Sequence, residues 1–482
     1  MTNLSGANLN SAAAVAPQGE GRESPSKFPT YPAYKDSGVE WLGAVPEHWC
    51  LTPLKFSASC NDSVLPDSTD DDYEIEYVEI SDVDEISGIT GCTNYKFSDA
   101  PSRARRILQD GDVLISTVRT YLRAIAPVVR PPINLIASTG FAVVRPRKGI
   151  LDGVFLGYLL RAEWWISEII ARSVGVSYPA INASDLIGLN VPIPAWHEQT
   201  QIARFLDHET ARIDALIEEQ QRLIELLKEK RQAFISHAVT KGLDPTVPMK
   251  DSGVEWLGAV PAHWAVAPTN YRYEIQLGRM LNEQRAQGDH LKPYLRVFDV
   301  QWNAINTTDL PLMDFPPEVQ SMYRLKKGDL MVNEGGSYVG RSAIWRGDLD
   351  ECYYQKALHR LRPRDVKSDT AEFFLHVMEM ATQQGVFVAG GNQTTIDHLT
   401  AEQLRQYRFA FPPLEEQLQI AEKITDVVSK IQNTTSEAEQ LIDYLKERRS
   451  ALISAAVTGK IDVRGWQRPA SVPTPESERE AL

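Results

Sequence analysis

Two short segments carry side chains suited to chemistry at a macromolecular surface: TVRTYLRA, Thr117 to Ala124, and EGGSYVGRSA, Glu334 to Ala343. Arginine donates two parallel hydrogen bonds to guanine O6 and N7, and tyrosine meets phosphate or packs on a base edge. Arg119, Tyr121 and Arg123 in the first segment are therefore candidate DNA contacts, as are Asn333, Ser337, Tyr338 and Arg341 in and beside the second. Two later segments join them. SYPA (Ser177 to Ala180) offers Ser177 and Tyr178, and GGNQTT (Gly390 to Thr395) offers Asn392, Gln393 and Thr394. Asparagine and glutamine can read adenine with two bonds, although a Gly-Gly-Asn turn accounts for that segment equally well.

Arg103 and Arg105 extend the set, because they open a basic stretch. Pro101 to Lys148 holds nine basic residues against two acidic ones, whereas Cys60 to Ala100 holds one basic residue and twelve acidic ones. The first half is thus electrically polarised, with one face able to meet phosphates. The whole chain carries a formal net charge of −14, which argues against coating nucleic acid by bulk charge.

The sequence has no G-x-x-x-x-G-K-[ST] phosphate loop, HExxH zinc helix, G-x-S-x-G elbow or glycine-rich dinucleotide turn. Cys50, Cys60, Cys92 and Cys352 form no CxxC pair, so no zinc knuckle or disulfide framework is indicated. His48 and His263 are matched in position, each between a proline-led turn and a tryptophan, and suit a structural frame better than a catalytic base. Asp112 and Asp329 follow matched glycines and read as turn residues that open a strand, not as catalytic acids. No apolar run approaches the roughly 20 residues that cross a bilayer, and no secretory signal pattern opens the chain, so a cytoplasmic, non-membrane protein is expected.

These residues are positioned by elements that occur twice. KDSGVEWLGAVPEHW (Lys35 to Trp49) and KDSGVEWLGAVPAHW (Lys250 to Trp264) agree at fourteen of fifteen positions. GDVLIS from Gly111 answers GDLMVN from Gly328, PAWHEQTQIA from Pro194 answers PPLEEQLQIA from Pro412, and KEKRQAFISHAVT from Lys228 answers KERRSALISAAVT from Lys446. The offset drifts only from 215 to 218, which marks two duplicated domains and not a solenoid. From Ile202 to Phe234, steps of four and three residues trace an apolar seam with polar interruptions, and the same seam recurs from Ile420 to Leu452. Two such helices are expected to pair as an antiparallel coiled coil of roughly 60 Å, about 40 residues at 1.5 Å each, with a pseudo-two-fold axis. Val457 to Trp466 should then close on the first WLGAVPEHW.

Between the frame segments, strand-like runs (Tyr73 to Ile80, Asp112 to Thr117, Phe141 to Pro146, Tyr294 to Val300, Asp329 to Asn333) mix with helical ones (Val154 to Arg172, Ala371 to Gln384). The expected class is α+β, or mixed α/β. The expected domains are a disordered extension at 1–33, a first globular domain at 34–193, a first long helix at 194–241, a linker and second globular domain at 242–411, a second long helix at 412–460 and a tail at 461–482.

The ordered pattern resembles the DNA specificity subunits of type I restriction-modification systems. The twin WLGxVPxHW segments, the twin P-x-x-EQ-x-x-IA helix starts (Pro194, Glu198, Gln199; Pro413, Glu416, Gln417) and the twin basic-to-AVT helix ends carry that resemblance, from about Tyr34 to Trp466. The proline spacing differs by one between the copies. The resemblance implies that each variable domain is a target recognition domain reading half of a bipartite, asymmetric double-stranded DNA target. It implies that the helices set the gap and dock two modification (methyltransferase) subunits, with a restriction motor-nuclease subunit as a further partner. No cofactor is then expected on this chain, which would be non-catalytic by itself. S-adenosylmethionine, ATP and magnesium would sit on partners that together form a phage-defence deoxyribonuclease and adenine methyltransferase. Two other readings of the same duplication are a two-headed protein-binding scaffold and the specificity half of a fused restriction-methylation enzyme.

Overall fold

Proline-led turns and short β-branched runs give many brief strands, and two uninterrupted stretches free of internal glycine and proline give long helices. The computed structural model describes residues 28–175, 177–280, 282–387 and 398–469. Contacts divide the chain into two units, Met1–Glu219 with Leu441–Leu482, and Gln220–Gln440. The division falls inside both long helices, Trp196–Lys241 and Leu414–Val457.

In the first unit an antiparallel sheet runs in the order Ile125–Pro127, Val113–Ser116, Phe141–Pro146, Ala58–Cys60. A second sheet orders Thr93–Lys96, Glu74–Val78, Leu135–Ser138 and Ala104–Ile107, and its central pair is parallel. The second unit repeats this topology. Ser342–Ile344, Leu330–Asn333, Leu358–Pro363 and Tyr273–Leu277 form the matching antiparallel sheet. Leu312–Asp314, Leu291–Leu295 and Tyr353–Tyr354 form the matching second sheet, again with a parallel pair. The fourth strand has no counterpart there: the matching sequence position is the helix Pro317–Tyr323, whose leading proline presets the first turn. The run from Val154 to Arg172 expected as one helix is two, Gly153–Leu159 and Glu163–Arg172. The expected strand over Tyr294 to Val300 ends at Leu295 and is followed by a 3-10 turn, Val297–Asp299.

The helix starts explain the near-identical linkers. Glu198 is buried, and its carboxylate accepts from Tyr31 Oη at 2.6 Å and Trp49 Nε1 at 3.0 Å, with His48 Nε2 at 2.9 Å. Its equivalent Glu416 accepts from Trp264 Nε1 at 3.1 Å and meets His263 Nε2 at 2.7 Å. The neighbouring glutamines face the globular domain. Gln199 donates to the Ile150 and Pro194 carbonyls and accepts from Asp152 N, while Asp152 caps Gly153–Leu159 through Phe155 N. Gln417 accepts from Thr370 N, and Thr370 caps Ala371–Gln383 through Phe373 N.

Helix ends close the same frame. Gly242 (φ +77°) and Gly459 (φ +70°) both lie in the left-handed region just past a long helix. A Cβ on Gly459 would stand 2.4 Å from Pro46, and one on Gly242 would stand 3.2 Å from Glu416 Oε1, so both positions require glycine. The tail after Gly459 lies against the first linker: Tyr34 Oη donates to Gly459 O at 3.0 Å and Lys460 Nζ to Ala44 O at 2.8 Å. Order begins before residue 34, because Phe28 meets Phe205 edge-on at 5.3 Å and Tyr31 is buried on Glu198. Within the first unit the helix segments run in opposite directions. Gln201 reaches the Val463 and Trp466 carbonyls while Asp214 pairs with Arg449 at 2.9 Å.

The buried face of the long helices includes much of the expected heptad seam, with Leu206, Ile424, Ala438, Leu445 and Leu452 buried, but not all of it. Leu216, Leu223 and Leu441, all seam positions, are 40%, 36% and 41% exposed. Ile224, Ile235, Ile442 and Ile453, off the seam, are buried, and they continue the rows that begin with the buried seam positions Ile202 and Ile213 and Ile420 and Ile431. Both sets step by eleven residues. Eleven residues make three turns at 3.67 per turn, close to the relaxed 3.6, so the stripe stays on one face without the left-handed winding a heptad imposes.

Replacing Glu198 by alanine leaves two buried donors without an acceptor and should cost the first unit about 3 kcal/mol. Glu198→Gln, which keeps an acceptor oxygen, should cost less, and Glu416→Ala less again because Glu416 is only half-buried. Denaturant unfolding followed by tryptophan fluorescence checks this order; equal stability of Glu198→Ala and the unaltered chain would contradict it.

Candidate nucleic-acid interface

The central strand Val113–Ser116 delivers the chain into the arginine and tyrosine loop, and its entry is fixed by a buried ion pair. Arg145 donates through Nε and Nη2, both at 2.8 Å, to the two oxygens of buried Asp112, whose Oδ2 also accepts from Gln109 N. Arg362 does the same to Asp329 at 2.6 and 2.7 Å. The matched aspartates are thus turn residues, and Arg145 and Arg362 are committed to them. Hydrogen bonding to the aspartate raises the pKa of both arginines.

In the first unit the loop rises through Thr117, whose N and Oγ1 donate to Gly140 O, and turns over a 3-10 turn, Thr120–Leu122. Arg119 (φ +50°) and Arg123 (φ +54°) flank that turn, both in the left-handed region. The chain returns beside it: Ala180 bridges Val118 and Val174, and Ile181 N donates to Thr117 O. This return brings Tyr178 under the Arg119 guanidinium, 4.8 Å from ring centroid to Cζ. Arg119, Tyr178, Arg103, Glu79, Ser81 and Ser138 line a cleft of about 530 Å³.

Other candidates are engaged differently. Arg123 makes two bonds to Glu163, at 2.7 and 2.8 Å, and one to Glu85 at 3.1 Å, and the Glu163 bonds raise its pKa. Its guanidinium is therefore held by the domain itself. Arg105 lies over Phe97 at 4.8 Å and 3.5 Å from Asp67. Arg103 stays exposed with Glu79 at 3.8 Å, and Tyr121 and Ser177 are exposed.

In the second unit Gly336–Tyr338 forms the matching turn, and Arg341 sits over the Tyr338 ring at 4.6 Å and donates to Gln301 Oε1. Ser337 lies in that turn, with its side chain outside the described residues. Asn333, expected as a contact, is fully buried, with its amide donating to the Val297 and Val300 carbonyls beneath the loop. Asn392, Gln393 and Thr394 lie outside the described residues. The chain re-enters at His398, which bridges Gly335, and at Leu399, whose carbonyl accepts from buried His359 Nε2 at 2.7 Å.

Sequence reading missed Glu79, Ser81 and Ser138 in the cleft and the Glu163 and Glu85 clamp, because nothing in their local spacing links them to a loop distant in sequence. Among the described residues no cluster of three or more His, Cys, Asp or Glu could hold a metal ion, and no helix is long and apolar enough to cross a membrane.

A two-sheet domain built twice, each copy followed by a long helix that begins on a Glu-Gln pair, is the fold of a known class. The family model described as type I restriction modification DNA specificity domain matches residues 58–226 and again 278–442. This chain belongs to that family of type I restriction-modification DNA specificity subunits. It is 24% identical over 440 residues to a proposed type I restriction enzyme specificity subunit, MjaX, of Methanocaldococcus jannaschii, spanning 88% of this chain and 96% of the relative. It is 20% identical over 333 residues to the EcoKI specificity subunit of Escherichia coli K12, spanning 67% and 68%. The fold is shared with a chain from a type I restriction-modification assembly study, with a TM-score of 0.65, 23% identity and coverage of 86% and 98%. It is also shared with the HsdS subunit of Thermoanaerobacter tengcongensis, with a TM-score of 0.57, 21% identity and coverage of 86% and 98%.

Burial pushes the His359 imidazole down to about 4. Its folded value thus lies below the ordinary value near 6.5, and the unfolded chain binds the extra proton between the two. The second unit should keep full stability above about pH 6.5 and lose on the order of 3 kcal/mol as pH falls toward 4. His359→Gln should flatten this slope in denaturant titrations at a series of pH values; an unchanged slope would contradict the assignment.

Proposed function

We propose that each of the two domains reads one half of a bipartite, asymmetric double-stranded DNA target through the surface at the strand-to-turn loop. One observation carries this reading: the two units keep the same strand order in the sheet that carries the loop and left-handed residues at the same two places in it, yet present different side chains there, Arg119 and Arg123 in one, Gly336 and Gly340 in the other. A shared scaffold with unlike tips suits two unlike half-sites. In this reading phosphate contacts fix register and the tips specify sequence.

The two long helices pair antiparallel along their length, relate the domains by an approximate two-fold and set the gap between half-sites. The opposed helix segments of the first unit and the matched Ile stripes support that pairing. The helices and linkers dock two modification subunits. Methyl transfer with S-adenosylmethionine, and ATP- and magnesium-dependent cleavage by a restriction subunit, belong to those partners, and the chain works in the cytoplasm without a cofactor of its own.

The test is reconstitution of the full chain with its modification subunits, followed by genome-wide mapping of methylated adenines. The expected result is a two-part motif with a fixed gap and unlike halves. Methylation without sequence preference, or a palindromic motif, would overturn the reading.

A further inference from the structure

Resting on that reading, we infer that Arg119 is the residue of the first domain that specifies a guanine, donating to its O6 and N7 in the major groove, and that Arg123 is a positioning residue for the same loop.

The turn Thr120–Leu122 is bracketed by two left-handed positions, at 119 (φ +50°) and 123 (φ +54°). At the repeat offset of 217 these become Gly336 (φ +71°) and Gly340 (φ +75°). Left-handed residues thus stand at the same two places in both copies, once as glycine, which adopts that conformation freely, and once as arginine, whose Cβ is strained there. Strain held where a less strained residue is available calls for a compensating use of the side chain.

For Arg123 the fold itself supplies that use. Its two bonds to Glu163 and one to Glu85 tie the loop to the helix Glu163–Arg172. For Arg119 the fold supplies none of this kind. Among the described residues its guanidinium makes no ion pair or hydrogen bond and is exposed, and it lies over the Tyr178 ring. A cation over an aromatic face is oriented by its charge and keeps its N–H donors for another acceptor. The matching position in the second unit shows that the space is open: a Cβ on Gly336 would meet nothing within 4 Å.

Surrounding chemistry favours a base edge over a phosphate. Glu79, Ser81 and Ser138 line the cleft with Arg119 and Arg103. The Glu79 carboxylate, 3.8 Å from Arg103, offsets that arginine's charge and so lowers the pull of the cleft on a phosphate. A G·C pair instead offers acceptors on guanine to the arginine and the N4 amino donor on cytosine to the carboxylate.

The experiment uses the full chain assembled with its modification subunits and a DNA library randomised across the target. Arg119→Gly should fold with an unchanged or raised Tm, since glycine suits φ at this position, and should lose a preference of about 10- to 100-fold for guanine at one position of the first half-site. Preferences in the second half-site should not move. Arg119→Lys, which keeps the charge and loses the fork, should also lose the guanine preference. A lowered Tm for Arg119→Gly would overturn the inference by giving the side chain a structural role. Equal weakening on every sequence, with a shallower salt dependence, would overturn it in favour of a phosphate contact, and so would an unaltered preference in favour of no contact. A wild-type complex without any sequence preference would sink the reading on which the inference rests and the inference with it, whereas a selective wild type with an equally selective Arg119→Gly sinks the inference alone.

Discussion

The fold depends on a carboxylate placed out of water at the start of a long helix. A buried charge is costly unless several donors surround it. Glu198 meets that condition by collecting Tyr31, His48 and Trp49, residues about 150 to 167 positions away. Its neighbour Gln199 turns the other way and completes the cap of the domain's first helix. Two adjacent side chains therefore fix linker, long helix and globular domain relative to one another within the unit. Removing Glu198 leaves polar groups unpaired on the linker side of the joint, and removing Gln199 does so on the domain side.

This joint explains why identity between the copies is concentrated where it is. The linker must present an indole N–H and an imidazole to one carboxylate, and its prolines must clear the glycine that ends a long helix. The residues that meet those demands, Pro46, His48 and Trp49 with Pro261, His263 and Trp264, are the same in both copies. The sheets are held with fewer specific residues. An aspartate at the start of the central strand and an arginine on its neighbour repeat as Asp112 with Arg145 and Asp329 with Arg362. Most remaining sheet positions need only an apolar side chain of suitable size, which leaves the two fillings free to diverge.

The duplication, the frame segments and the central strands were legible in sequence because each is a local pattern repeated at one offset. The helices were legible too, but not their buried face. Leu216 and Leu223 satisfy a heptad count as well as Ile213 and Ile224 satisfy an eleven-residue count, and only burial separates the two. The loops were found by composition, yet composition could not sort their members. Asn333 ends a strand and faces the core, while Arg123 meets Glu163 and Glu85, partners fixed by tertiary structure. Tyr31 in a polar N-terminal stretch gave no sign of order, since its partner lies 167 residues downstream.

The same loop backbone in two chemical versions bears on how one scaffold can hold two specificities. A turn bracketed by two left-handed positions accepts glycine without strain, and Gly336 and Gly340 take that course. Gly340 has no alternative, because a Cβ there would lie 2.2 Å from Thr382 Oγ1. In the first unit the space at position 123 leads instead to Glu163 and Glu85, whose charges repay an arginine for its strained backbone. With the turn anchored in this way, position 119 can carry a second strained arginine without the loop giving way. One clamp inside the domain thereby permits a charged tip outside it. In the second unit the glycines shift that task to Tyr338 and Arg341, which are stacked on each other at the far side of the turn. Equivalent backbones thus present their donors from different points, which gives the two tips different reach as well as different chemistry.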